Sequence, residues 1–192
     1  GLYNRKSFYE TVSKTFEENK SRSLALIMLN VDDFKLYNQL YGAEEGDKAL
    51  KKIAGIVSAS MEGRGTAYRM AGKEFSLLLP GYDIYSAKQL AESVMEQICK
   101  MNVAHEDYQL KTLTASCGIC AAPYLASSVD ELISNTDLAV YTAKRSGKNK
   151  AVIYSEAVEA AEKKQEHTSG YDEYAATIYA LTAAIDTKDH YT

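Results

Sequence analysis

Apolar positions recur along this chain with two alternating periods, and their alternation predicts the order of elements. Phe8, Val12 and Phe16 share one face at helical spacing, which predicts a helix from about Asn4 to Asn19. Leu24-Ala25-Leu26-Ile27-Met28-Leu29 is a continuous apolar run of strand length, as expected of a central strand covered on both faces. A short helix is predicted from Asp33 to about Leu40. A longer one follows from about Glu44 to Ala59, where Leu50, Ile53, Ala54 and Val57 form an apolar stripe. Tyr68 to Met70 and Phe75 to Leu79 read as strands, the second ending at Pro80-Gly81, with Ala71-Gly72 as the tip of the hairpin between them. A helix from about Ile84 to Met101 follows, then a strand from Leu110 to Ala121. A helix from Val129 to Ser146, stopped by Gly147, and a strand from Ala151 to Tyr154 complete the series. This alternation implies an α/β sandwich, a mixed sheet flanked by helices.

After Tyr154 the composition shifts. Ser155 to Gln165 is rich in Ala, Glu and Lys, and Tyr171, Tyr174, Ile178, Leu181 and Ile185 then recur at spacings of 3, 4, 3 and 4. That short apolar seam predicts a helical linker. The expected organisation is therefore one domain over 1–154 and a helical segment over 155–192.

Composition narrows the function classes. At 192 residues and 46% hydrophobic the chain can bury one core and carry an appendage. Its 26 acids against 22 bases leave a net charge of −4, so no overall basic field attracts nucleic acid. No apolar run approaches the roughly 18 residues that span a bilayer, so no membrane contact is expected. No signal peptide precedes Leu24, and Cys99, Cys117 and Cys120 form no disulfide framework, which fits a reducing cytoplasm. Cys117 and Cys120 have CxxC spacing, but on a strand residues three apart face opposite ways, which favours core packing over redox or metal chemistry. The chain opens Gly1-Leu2-Tyr3-Asn4-Arg5 without a methionine and is expected to be part of a longer protein.

The most telling motif is Arg69-Met70-Ala71-Gly72-Lys73-Glu74-Phe75. It resembles the Gly-Gly-Asp/Glu-Glu-Phe hairpin that names the GGDEF family of diguanylate cyclases. The likeness extends to Gly1-Leu2-Tyr3-Asn4-Arg5-Lys6-Ser7-Phe8, to Asn30-Val31-Asp32-Asp33-Phe34-Lys35 and to Gly42-Ala43-Glu44-Glu45-Gly46-Asp47. It continues through Asp137-Leu138-Ala139-Val140-Tyr141-Thr142-Ala143-Lys144 and Gly147-Lys148-Asn149. The resemblance implies a polymerase-palm-like sheet and a guanine-nucleotide site. The family's guanine-binding Asn and Asp match Asn38 and Asp47: an amide can donate to a purine oxygen, and a carboxylate can accept from guanine N–H groups. Phosphate would be held by backbone N–H groups at Asp33, Phe34 and Lys35, and by Lys144 and Lys148, one helical turn apart. Lys148 in place of the family's Arg keeps the charge and loses the fork.

The departures fall on the metal. The family's acidic metal ligands match Asn30 and Lys73, so no cofactor is assigned and Mg²⁺ binding is expected to be weak or absent. Two unit charges ~4 Å apart interact by roughly 4 kcal/mol at an effective dielectric of 20, and a lysine repels a divalent ion more strongly still. Glu74 remains as a weak catalytic candidate, and a lone glutamate beside a lysine makes a poor Mg²⁺ site. Lys73 itself could pair with phosphate in place of the lost ion. Ala71 replaces the first Gly of the motif and constrains the tip, while Gln39 and Ala43 replace the family's Asp and His. The family's Arg-x-x-Asp feedback motif matches Glu62-Gly63-Arg64-Gly65, so product inhibition there is not expected.

Ala183 to Thr192 resembles the opening helix of an HD-GYP phosphodiesterase domain, with an ordinary amphipathic helix as the alternative; His190 receives no metal. The leading reading is a catalytically impaired GGDEF domain binding GTP as a regulatory module in cyclic-di-GMP signalling. Its partners would be a guanine nucleotide, a downstream phosphodiesterase domain and, in a homodimer, a second copy of the chain. A weak diguanylate cyclase or nucleotide hydrolase, and a dimerisation scaffold that binds no nucleotide, are the alternatives.

Overall fold

In the computed structural model, residues 2–101 and 113–163 are described. The run of apolar residues beginning at Leu24 forms β2 (Leu24–Val31) at the centre of a six-stranded sheet. The other strands are β1 (Tyr3–Asn4), β3 (Thr66–Ala71), β4 (Glu74–Pro80), β5 (Ala115–Ala122) and β6 (Ala151–Ile153), in spatial order β1-β3-β4-β2-β5-β6. β2 pairs antiparallel with β4 and β5, β3 and β4 form the antiparallel hairpin, and β1 and β6 add parallel edges to β3 and β5. The sheet is mixed and flanked by helices, as expected.

Alternation along β2 divides the core. Ala25, Ile27, Leu29 and Val31 pack with Ile53 and Val57 of α3 (Ala43–Met61) and with Val94 and Ile98 of α4 (Ile84–Lys100). Leu24 and Leu26 pack on the other face with Phe8 and Val12 of α1 (Arg5–Glu18) and Leu132 of α5 (Val129–Arg145). Each large apolar side chain so enclosed contributes roughly 1.5–3 kcal/mol. Cys117 lies in the first cluster and Cys120 in the second, so the CxxC spacing serves packing on opposite faces. Burial pushes both thiols up, that of Cys120 to about 11. Helix starts are capped from the sequence: Asn4 Oδ1 accepts from the Ser7 N–H, Asp83 from Ser86 and Ser128 from Glu131.

Several expectations are corrected. The hairpin loop is Gly72-Lys73, one residue beyond the expected tip, because Ala71 pairs with Glu74. The strand expected from Leu110 starts at Ala115; Leu113 and Thr114 precede it, and positions 110–112 lie outside the described residues. The strand expected to end at Tyr154 ends at Ile153. Lys148 is not on the helix with Lys144: α5 stops at Arg145, and Gly147, Lys148 and Asn149 follow with φ of 115°, 62° and 48°. The two-residue β1, too short to carry a period, was not expected at all.

The chain divides into two compact units, at 1–155 and 156–192. Residues 156–163 of the second are helical. The apolar seam from Tyr171 to Ile185, and His190, lie outside the described residues.

Gly118 of β5 shows how tightly α5 lies on the sheet. A Cβ there would stand 2.4 Å from both the Thr136 carbonyl oxygen and the Val140 amide nitrogen. Neither backbone atom can rotate away, so Gly118→Ala should cost about 1–3 kcal/mol through forced separation of helix and sheet. A lowered urea midpoint at unchanged slope is the expected result; an unchanged midpoint would show that α5 lifts without penalty.

Candidate functional site

The site is built where β2 ends. Asp32 is 3% exposed, and its carboxylate collects donors from three directions. Thr114 Oγ1 and Ser116 Oγ of the β5 region each donate at 2.7 Å, Lys144 Nζ of α5 donates at 2.7 Å, and the Asn149 N–H donates at 3.1 Å. Lys144 Nζ also donates to the Val31 carbonyl at 3.2 Å. Burial by itself would raise the Asp32 carboxyl pKa; the Lys144 ammonium, the two hydroxyls and the Asn149 amide outweigh it and hold the group below its ordinary 3.8. Sequence reasoning gave Lys144 to phosphate and gave Asp32 no role. The missed signal was an acid three residues beyond a continuous apolar run, at a position that strand alternation places on the face of Leu24 and Leu26.

Asp33 comes next, in the left-handed region at φ 52°, ψ 31°, and immediately precedes α2 (Phe34–Tyr41). Its carboxylate takes the Lys148 ammonium at 2.6 Å rather than capping the helix. Phe34 and Lys35 form the first turn of α2; Phe34 stacks near Tyr37, and Lys35 is exposed.

Asn38 of α2 and Asp47 of α3 are brought to one helix pair by Gly46. A Cβ at Gly46 would lie 1.7 Å from Asn38 Oδ1, so only glycine lets α3 pass this close. Asn38 Oδ1 is buried with no partner among the described residues, and Asp47, at the next position of α3, is exposed.

Across the sheet, Asn30 of β2 opposes Glu74 of β4, and Asn30 Nδ2 donates to Glu74 Oε1 at 3.3 Å. Lys73 is exposed in the hairpin loop, and its backbone carbonyl accepts from the Val31 N–H at 3.0 Å. Arg69 holds the same loop by donating through Nε and Nη2 to the Gly72 carbonyl. One carboxylate, a neutral amide already donating to it and a lysine in the adjoining loop do not fit a divalent ion, which takes several oxygen ligands and net negative charge. Among the described residues, no three His, Cys, Asp or Glu side chains are grouped to hold a metal. A cavity of about 440 Å³ opens beside Asn30 and Glu74, lined by Arg5 and Tyr9 of α1, Met28 and Ser76 of the sheet, and Asp137 of α5. Asn38, Asp47 and Lys148 do not line it. Arg64, at the position of the former feedback motif, donates to the Ser60 carbonyl at the end of α3.

Residues 1–150 match the family described as diguanylate cyclase, GGDEF domain. The chain belongs to the GGDEF family. It is 33% identical over 154 residues to diguanylate cyclase VdcA of Vibrio cholerae, covering 79% of this chain and 44% of that protein. It is 30% identical over 154 residues to diguanylate cyclase DgcM of Escherichia coli, covering 79% and 36%. The chain thus spans less than half the length of these relatives. Among solved structures, the active GGEEF domain of a diguanylate cyclase from Vibrio cholerae superposes with a TM-score of 0.72 at 25% identity, covering 80% of this chain and 98% of that one. The GGDEF domain of DgcB from Caulobacter crescentus, in complex with c-di-GMP, gives 0.73 at 22% identity, covering 80% and 92%, a likeness of fold. Within the GGDEF domain, no described helix is long and apolar enough to cross a membrane.

The Asp32 cluster sets a pH dependence. With the folded carboxyl below the unfolded value of 3.8, its stabilisation is complete above that value and is lost as pH falls through the folded pKa. Urea unfolding of the GGDEF domain should therefore show a steep acid limb below about pH 4. Asp32→Asn should flatten that limb and cost about 3 kcal/mol at neutral pH, since it leaves the partly buried Lys144 ammonium without its counter-charge. Equal acid limbs in the two proteins would refute this role.

Proposed function

We propose that this GGDEF domain is a catalytically impaired member of its family that binds a guanine nucleotide, GTP foremost, and serves as a regulatory module in cyclic-di-GMP signalling. In the full protein its occupancy would be read by a downstream HD-GYP-type phosphodiesterase domain. One contrast carries the reading: the close α2–α3 crossing at Gly46 sets Asn38 and Asp47 on one helix pair, while Asn30, Lys73 and Glu74 form a poor site for the ions that cyclisation needs. The unpartnered Asn38 oxygen supports a ligand beside it, because buried polar atoms are normally hydrogen-bonded.

The chemistry left to these residues is binding. Asn38 and Asp47 would read the purine edge, and Asp47, a charged acceptor, contributes most per bond. Lys73 would face the phosphates from the hairpin as a fixed monovalent substitute for an ion. It is exposed and, among the described residues, makes no ion pair. Glu74 is engaged by Asn30, which makes it a poor base for activating water or a hydroxyl.

Calorimetric titration tests the proposal. GTP should bind equally well with EDTA and with Mg²⁺, without formation of c-di-GMP, and Asp47→Ala should weaken binding by about ten-fold or more, the worth of a charged hydrogen bond. Asn30→Asp combined with Lys73→Glu should restore Mg²⁺ affinity and make nucleotide binding Mg²⁺-dependent. An absolute Mg²⁺ requirement in the unaltered domain, or a double variant without metal affinity, would overturn the reading.

A further inference from the structure

The phosphate side of the proposed pocket contains a negative charge of its own. Lys144 is committed to Asp32 and the Val31 carbonyl, with its side chain 24% exposed, so it has little to offer a ligand. Lys148 stands nearer solvent at 42% exposure, and Asp33, at 37%, occupies it at 2.6 Å. Both backbones are unusual. Asp33 has φ 52°, and Lys148 and Asn149 have φ of 62° and 48°. Non-glycine residues enter this region only where their surroundings hold them there.

Those surroundings are visible. The Lys148 N–H is bound to the Ala143 carbonyl at 3.0 Å, and the Asn149 N–H to Asp32 at 3.1 Å. Asp33 is gripped on both sides, by Asp32 before it and by α2 after it. In extended geometry an aspartate at this position would turn its carboxylate back to cap α2. In the left-handed region Asp33 makes no such cap and reaches Lys148 instead. The ion pair is therefore set by two constrained turns, unlike the usual meeting of long side chains on a surface.

We propose that Asp33 is a selectivity residue of the nucleotide site, a built-in counter-anion that occupies Lys148 and lowers the site's preference for highly charged phosphate chains. The inference rests on the nucleotide-binding reading above. An incoming terminal phosphate must separate Lys148 from Asp33 and then lie beside a carboxylate that repels it. A nucleoside without phosphate meets neither obstacle. Each added phosphate charge should consequently improve binding less than the lysines around the turn would suggest, and GTP should exceed GDP by no more than about three-fold.

Titration of guanosine, GDP and GTP at fixed ionic strength with EDTA, into the unaltered domain, Asp33→Asn, Lys148→Ala and their double variant, decides the matter. Asparagine tolerates the left-handed conformation as aspartate does, so Asp33→Asn removes the charge and keeps the turn. Asp33→Gly, which is also at ease there, provides a second variant should asparagine still bridge to Lys148. The expected result is a roughly ten-fold gain in GTP affinity, a smaller gain for GDP, none for guanosine, and abolition of the gain in the double variant. GTP binding to the unaltered domain with no gain in either Asp33 variant would overturn this inference alone. A gain equal for guanosine and GTP would also overturn it, since that is a change of shape and not of charge. Failure of every guanine compound to bind any variant would remove the nucleotide reading, and this inference with it.

Discussion

The buried Asp32 carboxylate is the constraint from which the geometry of the site follows. Taking a carboxylate out of water costs several kcal/mol unless its oxygens are satisfied and its charge is matched. Here one oxygen receives Ser116 and Lys144, and the other receives Thr114 and the Asn149 amide. Those donors come from β5 and the residue just before it, from α5 and from the turn into β6. Satisfying one acid therefore locks the end of the central strand to the last helix and to the last turn. With Asp32 held inward, Asp33 must reverse direction before α2 can begin, and its left-handed backbone is the result. With Asn149 held by Asp32, Lys148 is likewise placed opposite Asp33. The Asp33–Lys148 pair is a consequence of the Asp32 cluster.

The same arrangement separates two lysines that look equivalent in sequence. Lys144 lies on α5 with its ammonium turned under the β2–α2 turn, where it neutralises Asp32. Lys148 lies beyond Gly147 with its ammonium outside the turn. Four residues of spacing suggested one helical turn and a shared ligand, but the helix ends between them. One lysine belongs to the framework and the other to the surface that a ligand would meet.

Much of the fold was legible because burial writes its period into the chain. The apolar run at Leu24 to Leu29, the stripe through Leu50, Ile53 and Val57, and the hairpin around Gly72 each carried their own signal. β1 carried none, because Tyr3 and Asn4 are too few to show alternation and pair with β3 only through the fold. The site was legible in part. Asn38 and Asp47 are assigned to guanine through a resemblance alone, and the structure adds that the close helix crossing at Gly46 sets them on one helix pair. Asp32 stayed hidden because an acid after a strand normally marks the return to solvent; its burial depends on Thr114, Ser116 and Lys144, more than 80 residues away in sequence. The hairpin was misplaced by one position because Ala71, where the family has glycine, still pairs with Glu74 and pushes Lys73 into the loop.

These shifts amount to a redistribution of charge across the site. Measured against the family resemblance, Asn30 and Lys73 make the hairpin end more positive by about three charge units, while Asp33 holds a negative charge on the α2 side. On the proposed reading, a base seated at Asn38 and Asp47 would have its phosphates between Lys73 of the hairpin and the Asp33–Lys148 pair of the α2 turn. On that reading a domain wired in this way would retain selectivity for guanine through Asn38 and Asp47 while losing the geometry that joins two nucleotides. On that reading recognition and catalysis would be separable because they would draw on different elements: the α2–α3 pair for the base, and the β2–β4 end with its hairpin for the chemistry.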